Sequence, residues 1–142
     1  MNILIIHGPN LNMLGRRNKD HYGTFTQDEL FQALIDAFPK INFTFYQSNY
    51  EGELIEVIHH ATGGDYDAII INPGALTHTS IALRDALEII DLPKVEVHLS
   101  DIEQREDFRK IDYIFDVCHQ RFMGRKIESY MDAITYIIHH QK

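Results

Sequence analysis

The chain has 142 residues, 44% of them hydrophobic, a formal net charge of -8 and a single cysteine. That size and apolar content suit one domain spanning residues 1–142, and the acidic balance excludes a protein held to nucleic acid by clustered Lys and Arg, because Arg16-Arg17 and Arg125-Lys126 are too short for such a patch. Cys118 alone cannot close an internal disulfide, and the apolar run Ile3 to Ile6 is too short to cross a membrane or to serve as a signal sequence, so a reducing, cytoplasmic location is the default expectation.

In chain order, short apolar strands alternate with amphipathic helices. Asn2 to His7 reads as strand one. A long polar segment to Gly23 follows, and Thr26-Gln27-Asp28-Glu29 then gives a capping-box start to a helix running to about Phe38. Phe43 to Gln47 reads as strand two, and Glu53 to Ala61 as a helix with Leu54, Val57 and Ile58 on its apolar face, ended by Gly63-Gly64. Ala68 to Ile71 reads as a central strand, after which Ser80 opens a helix carrying Leu83, Ala86, Leu87 and Ile90 inward. Val95 to Leu99 gives strand four, Tyr113-Ile114-Phe115 is the best candidate for strand five, and Ile127 to His139 forms the last helix. This pattern predicts an α/β fold of the flavodoxin-like kind, a three-layer αβα arrangement around a five-stranded parallel sheet ordered 2-1-3-4-5.

In that order the carboxyl ends of strands one, three and four meet, where ligands bind in open α/β sheets. Three polar loops gather there: Gly8 to Asn12, Asn72 to Ser80, and His98 to Asp101. Glu96 and His98 are two apart on one strand and therefore share a face. A carboxylate beside an imidazole fixes its tautomer and raises its basicity, which suits a proton donor or acceptor; a charged pair on a half-exposed strand is the alternative, and the pattern alone divides evenly between them. Nine histidines invite a metal reading. The pairs His59-His60 and His139-His140 have no chelating spacing, and although His7, His78 and His98 would approach one another at the strand ends, no Cys or carboxylate accompanies them at ligand spacing, so no metal is expected.

A set of ordered motifs carries a more specific message. Gly8-Pro9-Asn10-Leu11-Asn12-Met13-Leu14-Gly15, Arg17, Tyr22-Gly23, Gln47-Ser48-Asn49, Glu51-Gly52-Glu53-Leu54, Asn72-Pro73-Gly74-Ala75, Thr77-His78-Thr79-Ser80, Leu83-Arg84-Asp85-Ala86 and Glu96-Val97-His98-Leu99-Ser100 together resemble type II 3-dehydroquinate dehydratase, across residues 1 to about 109. The resemblance implies elimination of water from 3-dehydroquinate through an enolate in the shikimate pathway, without a cofactor. It also implies a homododecamer built from trimers.

Roles carried over by resemblance are these. Tyr22 is the base and Arg17 the cation that makes its phenolate accessible, on a lid from Gly15 to Gly23. His98 is the acid, oriented by Glu96. Asn10 holds a water against the enolate oxygen, and Asn72 binds near the leaving group. Leu99 and Ser100 receive the substrate carboxylate, His78 and Arg109 bind ring hydroxyls, and Asp85 reaches substrate at a subunit boundary.

The chain also departs from the family pattern. Asn18-Lys19 replaces Glu-Pro, implying a less rigid lid; Asp101 replaces Asn, adding negative charge by the carboxylate pocket; and Gln120, Lys126 and Ser129 stand where glycines are common. Competing classes fit less well. A flavin-binding domain wants hydroxyl side chains after strand one, a receiver domain wants Asp in place of Asn72, and a Schiff-base dehydratase wants a desolvated lysine. Lys19, Lys40, Lys94, Lys110, Lys126 and Lys142 all fall in predicted loops or at element ends.

Overall fold

Residues 1–140 are described by the computed structural model, so Lys142 lies outside the described residues. The strands are β1 (Asn2–His7), β2 (Asn42–Gln47), β3 (Ala68–Asn72), β4 (Lys94–His98) and β5 (Gln120–Met123). They form one parallel sheet in the order β2-β1-β3-β4-β5, as the alternation of strands and helices predicts. The helices are α1 (Lys19–Tyr22), α2 (Gln27–Ala37), α3 (Glu51–His60), α4 (Ile81–Ile89) and α5 (Ile127–His140). Among the described residues no helix is long and apolar enough to cross a membrane.

Strand parity divides the core into two layers. Ile3, Ile5, Ile70, Val95 and Val97 pack with Leu30 and Leu34 of α2 and with Tyr130, Ile134 and Ile137 of α5. Leu4, Ile6, Ile69 and Ile71 point the other way, against Leu54 and Ile58 of α3 and Leu83 and Leu87 of α4. Because β1, β3 and β4 are covered on both faces, they read as nearly continuous apolar runs, with polar residues admitted chiefly at their ends.

The predicted starts of α2 and α4 hold, whereas α3 begins two residues earlier than expected, at Glu51. Thr26 accepts from the Glu29 N–H at 3.1 Å while the Glu29 carboxylate accepts from the Thr26 N–H at 3.0 Å, a complete capping box. Ser80 accepts from the Leu83 N–H at 2.9 Å at the start of α4. His59-His60 and His139-His140 lie exposed in the last turns of α3 and α5.

The expected fifth strand is corrected. Tyr113-Ile114-Phe115 is a turn, because the Asp112 carboxylate accepts from the N–H groups of Ile114 at 2.8 Å and Phe115 at 3.1 Å and closes the chain on itself. Ile114 is buried as a plug under the α4 layer, and the strand comes later, at Gln120–Met123. An edge strand of sequence Gln-Arg-Phe-Met, half-buried throughout, leaves little apolar signal.

Strand parity also separates the histidines. His7 faces the α2/α5 layer, where its Nδ1–H donates to Gln27 Oε1 at 2.8 Å and its Nε2 accepts from the Tyr130 hydroxyl at 2.8 Å. It does not join His78 and His98, which correct the expected three-histidine approach to two. Lys94 opens β4 at the opposite edge of the sheet from the polar loops; it is buried and donates to the carbonyls of Leu87 and Ile90 at the end of α4.

Burial holds His7 neutral, its pKa lowered from 6.5 to about 4 despite the opposing Gln27 hydrogen bond. A depressed folded-state pKa gives stability that is present above 6.5 and lost as pH falls toward 4, on the order of 3 kcal/mol for this fully buried ring. Unfolding free energies measured between pH 7 and 4 should therefore fall more steeply for the native chain than for His7→Gln; parallel curves would refute this assignment.

Candidate active site

The loops after β1 and β3 are locked by two close backbone approaches. An added Cβ at Gly8 would meet the Pro73 carbonyl oxygen at 2.3 Å, and one at Gly74, whose φ is +61°, would meet the Pro9 carbonyl oxygen at 2.8 Å. The Gly8 N–H donates to the Asn72 carbonyl at 2.8 Å, continuing the β1-β3 pairing into the loops. From the other side, Gln47 donates to the Gly8 carbonyl at 3.3 Å and the Asn49 side chain accepts from the Asn10 N–H at 3.0 Å, which gives the Gln47-Ser48-Asn49 motif its physical role.

A cavity opens between these loops, the His98–Ser100 segment and the segment Gly15 to Gly23 that folds over them. Arg17, Tyr22, Asn72, His78, His98, Leu99, Ser100 and Arg109 all line it. Glu96 stands behind His98 with no exposure. Asn10 and Asp85 are not brought to it in this chain: Asn10 is exposed in the left-handed conformation ahead of cavity residue Leu11, and Asp85 is exposed on α4.

The lid meets the cavity through Tyr22, which is buried. Arg17 donates to its phenolic oxygen at 2.8 Å and lies over its ring at 3.7 Å. Arg105, which the sequence reading overlooked, donates to the same oxygen at 2.6 Å and to Ser100 Oγ at 3.3 Å. The overlooked signal was a cation four residues before Arg109, in the loop that follows Ser100. Burial lowers the Arg17 pKa, and the charges of Arg105 and Arg109 add to that; these three guanidinium groups concentrate positive charge in an otherwise acidic chain. Asn18 accepts from the Asp20 N–H at 2.8 Å and so caps α1 of the lid. Asp101 is similarly spent on a cap, accepting from Glu103 N–H at 3.0 Å, and it does not line the cavity. Among the glycine replacements, Lys126 takes the left-handed φ of 52°, which explains why glycine suits that position.

On the floor, Asn72 donates to the Tyr130 hydroxyl at 2.9 Å and accepts from the Gly74 N–H at 3.2 Å. Tyr130 in turn donates to His7, so a buried chain from Gln27 fixes the amide. His78 Nδ1 donates to the Ile111 carbonyl at 2.6 Å, leaving Nε2 as the nitrogen able to accept.

His98 Nε2 lies 2.5 Å from Glu96 Oε2, both side chains buried. Glu96 Oε1 is buried without a hydrogen-bond partner among the described residues, a poor setting for an ionised carboxylate. Burial accordingly drives both groups toward their uncharged forms: Glu96 rises far above the carboxylate range, helped by the carboxylate of Asp112, and His98 falls well below its ordinary value. The neutral pair places an acid hydroxyl on the imidazole Nε2 and leaves Nδ1 to face the cavity as a donor. Contrary to the expectation from spacing, carboxyl groups do accompany a histidine here, since donor atoms of Glu96, His98 and Asp112 fall within 4.8 Å of one another. The cation facing that group is Arg121, at 3.0 Å from Asp112.

The arrangement offers a phenolic oxygen under two cations, a buried carboxyl–imidazole pair, and guanidinium and amide groups able to bind anions and hydroxyls. Its relatives are consistent with that chemistry. A family model described as dehydroquinase class II matches residues 1–138. A 3-dehydroquinate dehydratase from Thermotoga petrophila is 44% identical over 139 residues, covering 96% of this chain and 94% of that one. One from Fusobacterium nucleatum is 45% identical over 143 residues, covering 97% of each. The crystal structure of a type II dehydroquinase from Butyrivibrio crossotus superposes with a TM-score of 0.94 at 40% identity, covering 97% of each chain.

The interlocked loops give a direct stability test. Gly8→Ala should cost about 2 kcal/mol or more, seen as a lowered melting temperature, because a backbone carbonyl must move. Gly63→Ala, with nothing near its added Cβ, should melt within a degree or two of the native chain or slightly above it.

Proposed function

The chain belongs to the class II dehydroquinase family and is thus a hydro-lyase; from that membership we propose that it removes water from 3-dehydroquinate by anti elimination through an enolate, giving 3-dehydroshikimate in the shikimate pathway. The observation that carries the reading is the Tyr22 phenolic oxygen held by both Arg17 and Arg105 at the mouth of a cavity that contains His98. Two guanidinium donors aimed at that oxygen suit a point where negative charge develops during the reaction, which supports Tyr22 as the base.

In this reading Tyr22 takes the proton beside the substrate ketone, and the electrons pass to the ketone oxygen as an enolate. Asn10, which stands exposed outside the cavity, takes the role the resemblance implies, holding a water against that oxygen, only if its side chain turns inward. The enolate then reforms the ketone as the neighbouring hydroxyl departs, protonated by His98 from Nδ1 while Glu96 returns a proton to Nε2. The 2.5 Å contact between the two side chains supports such a relay. Asn72 binds near the leaving group, His78 and Arg109 bind ring hydroxyls, and Leu99 and Ser100 receive the carboxylate. Asp85, exposed on α4, fits a role in the cavity of a neighbouring subunit of a homododecamer. We place the enzyme in the cytoplasm, as one catalytic domain working without a cofactor.

A Schiff-base route is the competing mechanism. The buried Lys94 is committed to two carbonyls at the far edge of the sheet, and among the described residues no lysine lines the cavity. Borohydride added with substrate should therefore leave activity intact.

The test is to mix the purified protein with 3-dehydroquinate and follow the absorbance of the conjugated product; no product would end the proposal. Tyr22→Phe should lower turnover by about a thousandfold or more while substrate affinity stays near native, and near-normal turnover would remove Tyr22 as the base. His98→Ala should slow elimination by on the order of a hundredfold, and His78→Ala should mainly raise KM. The opposite division between kcat and KM would contradict these roles.

A further inference from the structure

Behind the Glu96–His98 pair stands a second carboxylate that none of the sequence motifs contains. Asp112 is brought there from both ends of its loop. The Ile111 carbonyl accepts from His78 at 2.6 Å, and the Tyr113 N–H donates to the Thr77 carbonyl at 3.0 Å, pinning the residues on either side. Arg84 of α4 donates to the Tyr113 carbonyl at 2.9 Å. The Asp112 carboxylate then accepts from Ile114 and Phe115 N–H groups through one oxygen and from Arg121 at 3.0 Å through the other. Arg121 is the register partner of Glu96 across β4 and β5, and it is also held by Glu103 at 2.8 Å.

Two carboxyl groups this close cannot both ionise cheaply out of water. Which one keeps the proton is decided by the partners. Asp112 has the guanidinium and two N–H donors, whereas Glu96 has one oxygen on the His98 ring and the other buried without a hydrogen-bond partner among the described residues. The charge therefore settles on Asp112 and the proton on Glu96. The titration directions agree: burial would raise Asp112, but the neighbouring Glu96 carboxyl, the Ile114 N–H and Arg121 bring it below its ordinary value. Other groups facing the pair are His78, which opposes charge on His98, and Cys118, whose thiol burial pushes up; Lys94 shares the strand but is tied to its helix carbonyls.

We propose that Asp112, clamped by Arg121, is a positioning residue that keeps a proton on the Glu96–His98 pair, so that the pair stays loaded for proton donation as pH rises above neutrality. The proposal rests on the reading of that pair as the acid. Its physical core is independent of turnover: the proton of the pair is held by the charge of Asp112, and Arg121 opposes it by favouring ionised Glu96.

The test is a pH titration of the carboxylic C=O infrared band of the whole protein, assigned to Glu96 by its loss in Glu96→Gln, in the native chain, Asp112→Asn and Arg121→Met. Asparagine retains the acceptor for Ile114 and Phe115, so the turn survives while the charge is removed. The Glu96 transition should fall by about one pH unit or more in Asp112→Asn and rise in Arg121→Met. An Asp112 that merely shapes the loop would not move the two variants in opposite directions, and transitions unchanged in both overturn the proposal. In parallel, the alkaline limb of kcat/KM should shift in the same order. If the infrared transition moves and the kinetic limb does not, the coupling stands and the pair is not the acid.

Discussion

The carboxyl edge of β1, β3 and β4 is the constraint on which the site depends. The sheet winds one way from β1 to β2 and the other way from β1 through β3 to β5, so the loops leaving β1 and β3 depart to opposite sides and open a crevice. These strands are buried on both faces, so a polar side chain within them must find a partner. His7, Asn72 and His98 each end a strand at this edge, and each is satisfied by a different network.

Strand parity turns one edge into two distinct electrostatic settings. On the α2/α5 side, Gln27, His7, Tyr130 and Asn72 form a neutral chain that holds an amide still. On the α3/α4 side, Glu96, His98, Asp112 and Arg121 form a charged group from which one proton can leave. In the proposed mechanism the first network presents a binding group and the second stores a proton. The lid adds what neither face supplies, a phenolic oxygen under two guanidinium groups.

Much of the fold was legible because β1 and β3 have apolar interiors, β4 alternates Val with polar residues, and helices α2 and α4 carry their cap residues in sequence. The fifth strand was not legible. At the sheet edge Gln120–Met123 needs little apolar character, and the more apolar Tyr113-Ile114-Phe115 is apolar because Ile114 plugs the α4 layer from a turn. Within the site, spacing marked the polar loops after β1, β3 and β4 and the shared face of Glu96 and His98, whereas Arg17, Tyr22 and Arg109 were named only through the family resemblance. Arg105 and Asp112 escaped both, since their importance comes from the approach of Tyr22 across 83 residues and from the register of Arg121 beside Glu96. Neither relation leaves a local pattern. Asp85 and Asn10, by contrast, stand outside the cavity of their own chain.

The central claim is that Arg17 and Arg105 act through one oxygen, that of Tyr22. A double-mutant cycle on turnover of 3-dehydroquinate, using Arg17→Ala, Arg105→Ala and the combined variant, measures this most directly. Groups acting as a unit on the same atom give strongly non-additive losses, so the combined variant should be little slower than the slower single one. Losses that simply multiply would show that the two cations act separately and would contradict the shared-oxygen site.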